Sequence, residues 1–227
     1  MSRNVIDAVR GGLIVSCQAY PGEPMRDPDT MTRIARSVVR GGAVAVRAQG
    51  LADLHSMRAA LSVPLIGLWK DGHDGVFITP SVEHALAVAR TGAQVVAIDG
   101  TRRPRPDGST FADACAAVHD AGALVMADCA TLADGHAAAA AGADLVGTTL
   151  AGYTPDSPKT PGPDLDLVAA LAAELDVPVI AEGRIHTPAD ALAAMHAGAH
   201  AVVVGTAITH PSTITAWFAA AVSSKES

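Results

Sequence analysis

Lys70 and Glu182 are the residue types that move protons, and each closes an apolar run: Pro64-Leu-Ile-Gly-Leu-Trp-Lys70 and Pro178-Val-Ile-Ala-Glu182. Period-two alternation along the first run puts Ile66, Leu68 and Lys70 on one face, so that Lys70 caps an inward apolar column. An ordinary lysine, with pKa ~10.4, is neutral in only about one molecule in 2,500 at pH 7. Burial beside other cations could lower that value by about three pH units and make the amine a base. An unpaired buried carboxylate is costly. Glu182 is therefore either a site residue or half of a structural ion pair, with Lys70 or Arg184 as its partner.

Glycine follows the second run at Gly183-Arg184, and again closes Ala201-Val-Val-Val-Gly205-Thr206. Strand-ending glycine turns that lead into helices offer backbone N–H groups to an anion. Phosphate is the expected ligand at Gly183, Gly205 and Thr206, with a glutamate at its side.

These residues need a scaffold that gathers strand ends, and the sequence repeats one unit along most of its length. Gly-Ala precedes an apolar run at Gly42, Gly92, Gly122, Gly142 and Gly198, and Val-Pro does so at Pro64 and Pro178. Glycine ends a helix by accepting the left-handed conformation, and proline is tolerated as a strand's first residue. Eight apolar runs result: Leu13–Gln18, Ala43–Ala48, Pro64–Lys70, Gln94–Asp99, Ala123–Asp128, Asp144–Thr149, Pro178–Glu182 and Ala201–Gly205. Helical stretches fall near 29–41, 51–60, 81–91, 109–121, 131–141, 164–175, 187–197 and 211–223, several behind capping residues such as Ser81, Thr131 and Thr187. Eight strand–helix alternations predict an α/β fold, a (β/α)₈ barrel, in one domain spanning 1–227. In that fold, polar residues at the carboxyl ends of strands surround one mouth. Here they are Gln18, Arg47, Lys70, Asp99, Asp128, Thr148 or Thr149, and Glu182. For Arg47 and Asp128 the alternative to a site role is a salt bridge at the mouth.

Composition excludes several classes. The formal net charge of −7 argues against a general nucleic-acid binder. Arg102, Arg103 and Arg105 form the one basic cluster, either a solvated loop or an anion contact. The nine histidines show no compact ligand spacing, so no catalytic metal is expected, and no G-x-G-x-x-G follows the first strand. Cys17, Cys115 and Cys129 include no C-x-x-C pair and suit a reduced, cytoplasmic protein; Cys17 and Cys129 read as buried fillers. Ile14-Val-Ser-Cys17 mimics the end of a lipoprotein signal, but Asp7, Arg10 and two glycines stand where its apolar stretch should be. No run is long enough to predict a membrane span.

The chain resembles the N-acetylmannosamine-6-phosphate 2-epimerases of bacterial sialic-acid breakdown. The resemblance rests on Gly12-Leu-Ile-Val-Ser-Cys-Gln18, Gly41-Gly-Ala-Val-Ala-Val-Arg47, Pro64-Leu-Ile-Gly-Leu-Trp-Lys70, Met126-Ala-Asp128, Val146-Gly-Thr-Thr-Leu-Ala-Gly-Tyr-Thr154 and Ile180-Ala-Glu-Gly-Arg-Ile185. It implies exchange of N-acetylmannosamine 6-phosphate and N-acetylglucosamine 6-phosphate by a homodimeric barrel without metal or organic cofactor. Functional positions carry over to Gln18, Arg47, Lys70, Asp128 and Glu182, and the phosphate grip to Gly183, Arg184, Gly205 and Thr206. Where the family usually has arginine before proline, this chain has His210 before Pro211. His210 is thus a candidate phosphate contact whose charge, unlike arginine's, depends on pH.

On this reading Lys70 takes the C2 proton and Glu182 is its acid/base partner. Arg47 stabilises the oxyanion, Gln18 and Asp128 orient the sugar, and Arg184 also touches substrate. Two rivals remain: an aldolase-like enzyme using Lys70 as a Schiff-base nucleophile, and a sugar-phosphate sensor without turnover.

Overall fold

The computed structural model describes residues 2–223. Its elements are α1 (Ser2–Val9), β1 (Leu13–Cys17), α2 (Pro28–Arg40), β2 (Ala45–Gln49), α3 (Leu51–Ala60), β3 (Leu65–Leu68), α4 (Val82–Arg90), β4 (Val95–Asp99) and α5 (Phe111–Asp120). There follow β5 (Leu124–Asp128), α6 (Leu132–Ala140), β6 (Leu145–Gly147), α7 (Leu165–Glu174), β7 (Val179–Glu182), α8 (Pro188–His196), β8 (Ala201–Val204), α9 (Thr206–Thr209) and α10 (Pro211–Ser223). The strands pair in chain order, all parallel, and β8 closes on β1. The fold is the expected (β/α)₈ barrel.

Local chemistry explains the punctuation. Gly42, Gly92, Gly122, Gly142 and Gly198 all have positive φ, from 84° to 106°, which only glycine adopts without strain. Thr110, Thr131 and Thr187 each form a reciprocal capping box with the aspartate three residues on, and Ser81 caps α4 through the His84 N–H.

Alternation divides the strands between two environments. Ile14, Ala45, Ile66, Leu68, Val95, Ala97, Met126, Ile180 and Val203 fill the barrel interior as one buried cluster. Val15, Cys17, Val46, Ala48, Val96, Ile98 and Val125 face the surrounding helices. The small and β-branched residues of this sequence suit strands buried on both faces. The same parity turns Arg47, Lys70, Asp128 and Glu182 inward, each two residues beyond an interior apolar neighbour.

Two helices lie outside the sequence expectation. The α1 helix sets Val5, Ile6 and Val9 against the interior cluster, and Ile6 O meets His200 Nε2 at 2.9 Å, so it stoppers the barrel floor. The four-residue α9 is too short for an apolar period to reveal. Two strands also end two residues early. β3 stops at Leu68, and Lys70 joins only an isolated bridge to Ile78. β6 stops at Gly147, which frees Thr148 and Thr149 to reach their neighbours.

Candidate active site

Arg47 anchors the polar group inside the barrel. Its Nη1 and Nη2 donate to Asp128 Oδ1 at 3.0 Å and Oδ2 at 2.7 Å, and Nη1 also lies 3.1 Å from Glu182 Oε2. The Arg47 and Asp128 side chains are 1% and 0% exposed, against 12% for Glu182. Burial disfavours the guanidinium charge, but Asp128 and Glu182 outweigh it and hold Arg47 charged. The ion partner of Glu182 is thus Arg47, where the sequence suggested Lys70 or Arg184.

The adjacent threonines on the loop after β6 do different things to Glu182. Thr148 Oγ1 accepts from the Glu182 N–H at 3.0 Å and donates to its carbonyl at 2.9 Å, which pins the main chain. Thr149 Oγ1 lies 2.7 Å from Asp128 Oδ1 and 3.0 Å from Glu182 Oε2. Sequence reasoning noted this threonine pair only as strand-end polarity.

Electrostatics pushes the two proton-transfer candidates toward each other. Burial, with Asp128 adding to it, lifts Glu182 from 4.5 to about 7 despite the opposing pull of Arg47. Burial and then Arg47 lower Lys70. Its ammonium lies 5.4 Å from the centre of the Tyr20 ring. Both shifts move the groups toward the operating pH, where acid–base catalysts transfer protons most efficiently.

A cavity of about 320 Å³ opens above this group. Gln18, Lys70, Glu182, Gly183, Arg184, Gly205, Thr206 and His210 all line it. Arg47 and Asp128 lie beneath its floor and reach it through Glu182 and Thr149. Gln18 Nε2 donates to Ser16 Oγ at 2.8 Å, while Gln18 Oε1 and Arg47 Nε are buried without a hydrogen-bond partner among the described residues. Thr206 opens α9, whose first N–H groups lack partners within the helix.

Other expected residues have protein partners. Arg184, at φ 54°, donates to Gly162 O and Thr160 Oγ1, each at 2.9 Å, and to Ala151 O. Its guanidinium therefore braces the loop between β6 and α7. His210 Nε2 meets the Glu23 carboxylate, its Nδ1 meets Thr213 Oγ1, and its ring stands edge-on to Tyr20. Asp99 does not line the cavity: Thr101 and Arg103 hold its carboxylate, and Arg105 binds its carbonyl. Arg102 pairs with Asp134, so the basic cluster is occupied by anions and carbonyls of its own chain. Cys17 and Cys129 are buried among apolar neighbours on the outer strand faces, and burial raises both thiols. Among the described residues, no group of three His, Cys, Asp or Glu could hold a metal, and no helix is long and apolar enough to cross a membrane.

Comparison with known proteins decides the family. The model for the family described as "Putative N-acetylmannosamine-6-phosphate epimerase" matches residues 31–224. The chain belongs to the N-acetylmannosamine-6-phosphate 2-epimerase family. A family member from Cutibacterium acnes, named "Putative N-acetylmannosamine-6-phosphate 2-epimerase", is 57% identical over 94% of this chain and 95% of its own. One of the same name from Corynebacterium glutamicum is 50% identical over 93% of each. The solved structure of the N-acetylmannosamine-6-phosphate 2-epimerase from Clostridium perfringens matches at TM-score 0.93, with 40% identity over 95% of each chain.

Proposed function

We propose that this chain interconverts N-acetylmannosamine 6-phosphate and N-acetylglucosamine 6-phosphate by removing and returning the proton at C2. The observation that carries the reading, beyond family membership, is one cavity. It joins Lys70 and Glu182 to the strand-end loops of Gly183, Gly205 and Thr206. C2 lies next to the aldehyde of the open-chain sugar, so its proton leaves to give an enolate, and reprotonation on the other face gives the epimer. Lys70 is assigned as the base and Glu182 as its acid partner.

Phosphate would sit on the N–H groups of Gly183, Gly205 and Thr206, with His210 at the rim. Holding it there, remote from C2, helps position the reacting carbon. Gln18 Oε1, with no partner among the described residues, offers an acceptor to the acetamide N–H, and the Arg47 charge beneath the floor favours the developing oxyanion. Asp128 acts by keeping Arg47 in place, and Arg184 by bracing the loop beside the substrate. The chemistry so assigned needs no metal or organic cofactor. One barrel domain carries it, in a cytoplasmic homodimer. Three buried free cysteines accord with the compartment, and α10, with Trp217, Phe218 and Val222 exposed and no buried residue, accords with a subunit contact.

The test is conversion of purified N-acetylmannosamine 6-phosphate without added metal or nucleotide, followed by NMR of the sugar. Borohydride is added in a parallel sample. The reading expects the epimer and no adduct on Lys70; a trapped adduct would make the protein a Schiff-base enzyme, and binding without conversion a sensor.

A further inference from the structure

Thr149 Oγ1 stands between two carboxylate oxygens, 2.7 Å from Asp128 and 3.0 Å from Glu182, and a hydroxyl has one proton to give. If both carboxylates are ionised, one contact must set the threonine lone pairs against a negative oxygen. Both are satisfied together when one carboxylate carries a proton and donates it to Thr149.

The surroundings decide which one. Asp128 already accepts two bonds from Arg47, at 3.0 and 2.7 Å, whereas Glu182 has a single Arg47 contact at 3.1 Å. Burial and Asp128 on β5 raise Glu182, while Arg47 on β2 and Lys70 after β3 lower it; Thr149 lowers it too where its hydrogen points to Glu182, and that effect reverses where the hydrogen goes to Asp128. Arg47 is committed to Asp128, which makes Asp128 the standing anion.

We infer that Thr149 is a positioning residue that ranks the two carboxylates: its proton goes to Asp128, and its oxygen accepts the proton held by Glu182. The resting site then holds one charged pair, Arg47 and Asp128, beside a protonated Glu182. As Glu182 gives up its proton, the Thr149 hydrogen turns from Asp128 to the exposed Oε2, and Asp128 keeps its two bonds from Arg47. Thr149 thus makes two hydrogen bonds when Glu182 is protonated and one when it is ionised. Removing the hydroxyl takes more from the protonated state, so the Glu182 pKa falls.

The proposal rests on the epimerase reading only for its effect on turnover. Its main test needs no substrate. The protein is labelled with ¹³C at the glutamate carboxyls, of which it has five, and titrated from about pH 5 to about pH 9. The Glu182 signal is the one missing from Glu182→Gln. In Thr149→Val its midpoint falls by about one pH unit, the worth of one hydrogen bond, and in Thr149→Ser it stays within about 0.3 pH unit of wild type. In the same variants kcat falls about tenfold for valine and recovers for serine, with KM little changed. If the valine variant does not fold, Thr149→Ala serves the same comparison. An unchanged or higher midpoint without the hydroxyl overturns the proposal, even if kcat falls. A wild-type protein that does not epimerise would sink the functional reading, and the titration would still decide the proton order.

Discussion

Arg47 and Asp128 meet inside the barrel through two parallel hydrogen bonds, with neither side chain more than 1% exposed. Removing one partner of such a pair leaves the other charged, buried and unpaired, which costs about 3–5 kcal/mol. Asp128→Ala and Arg47→Ala should each lose that much in urea unfolding. Because replacing both charges with apolar groups removes the penalty, Arg47→Met with Asp128→Leu should recover most of the loss. If the double variant is as unstable as the single ones, the pair does not behave as a buried ion pair.

Glu182 gives stability a definite pH dependence. Its pKa is raised in the folded protein from 4.5 to about 7. Between those values the folded state binds more protons than the unfolded one, so this contribution is complete below the lower value and is lost as pH rises through the upper. Glu182→Gln cannot titrate. Its stability relative to wild type should therefore rise across that window and level off above it. Unfolding curves at matched pH measure the difference; a flat difference would place the Glu182 pKa in the ordinary range, and a falling one below it.

His210 already faces a carboxylate, because Glu23 on the loop after β1 occupies its Nε2. A phosphate at the adjacent loops must share or displace that contact. Glu23→Gln removes the competing charge and should lower KM for the phosphosugar severalfold with kcat unchanged. A raised KM would mean that Glu23 orients His210 for the ligand. His210→Arg, a permanent cation at the same place, should also lower KM if phosphate touches this position.

The fold was legible because its punctuation is chemical. A glycine that must take positive φ and a proline at a strand start mark where helices and strands end, whatever the tertiary context. α1 escaped because Val5, Ile6 and Val9 acquire meaning only once there is a barrel floor to cover. Within the site, parity along a strand pointed Lys70 inward, and a costly carboxylate singled out Glu182. Which residues pair was not legible. Arg47 on β2 finds Asp128 on β5 with two strands between them, and Glu23 finds His210 from the opposite end of the chain. Arg184 stood in a motif that suggested a ligand contact, while its carbonyl partners on a neighbouring loop depend on chain folding alone.

The central claim is that Lys70 and Glu182 exchange the C2 proton of a phosphorylated N-acetyl amino sugar. Proton NMR of N-acetylmannosamine 6-phosphate incubated with the protein in heavy water tests it most directly. The account predicts that the C2 proton signal disappears as N-acetylglucosamine 6-phosphate forms with deuterium at C2. It also predicts that Lys70→Ala and Glu182→Ala, each still folded, slow this by at least ~100-fold. Epimer that keeps its original C2 proton throughout, or near-normal exchange in either variant, would contradict it.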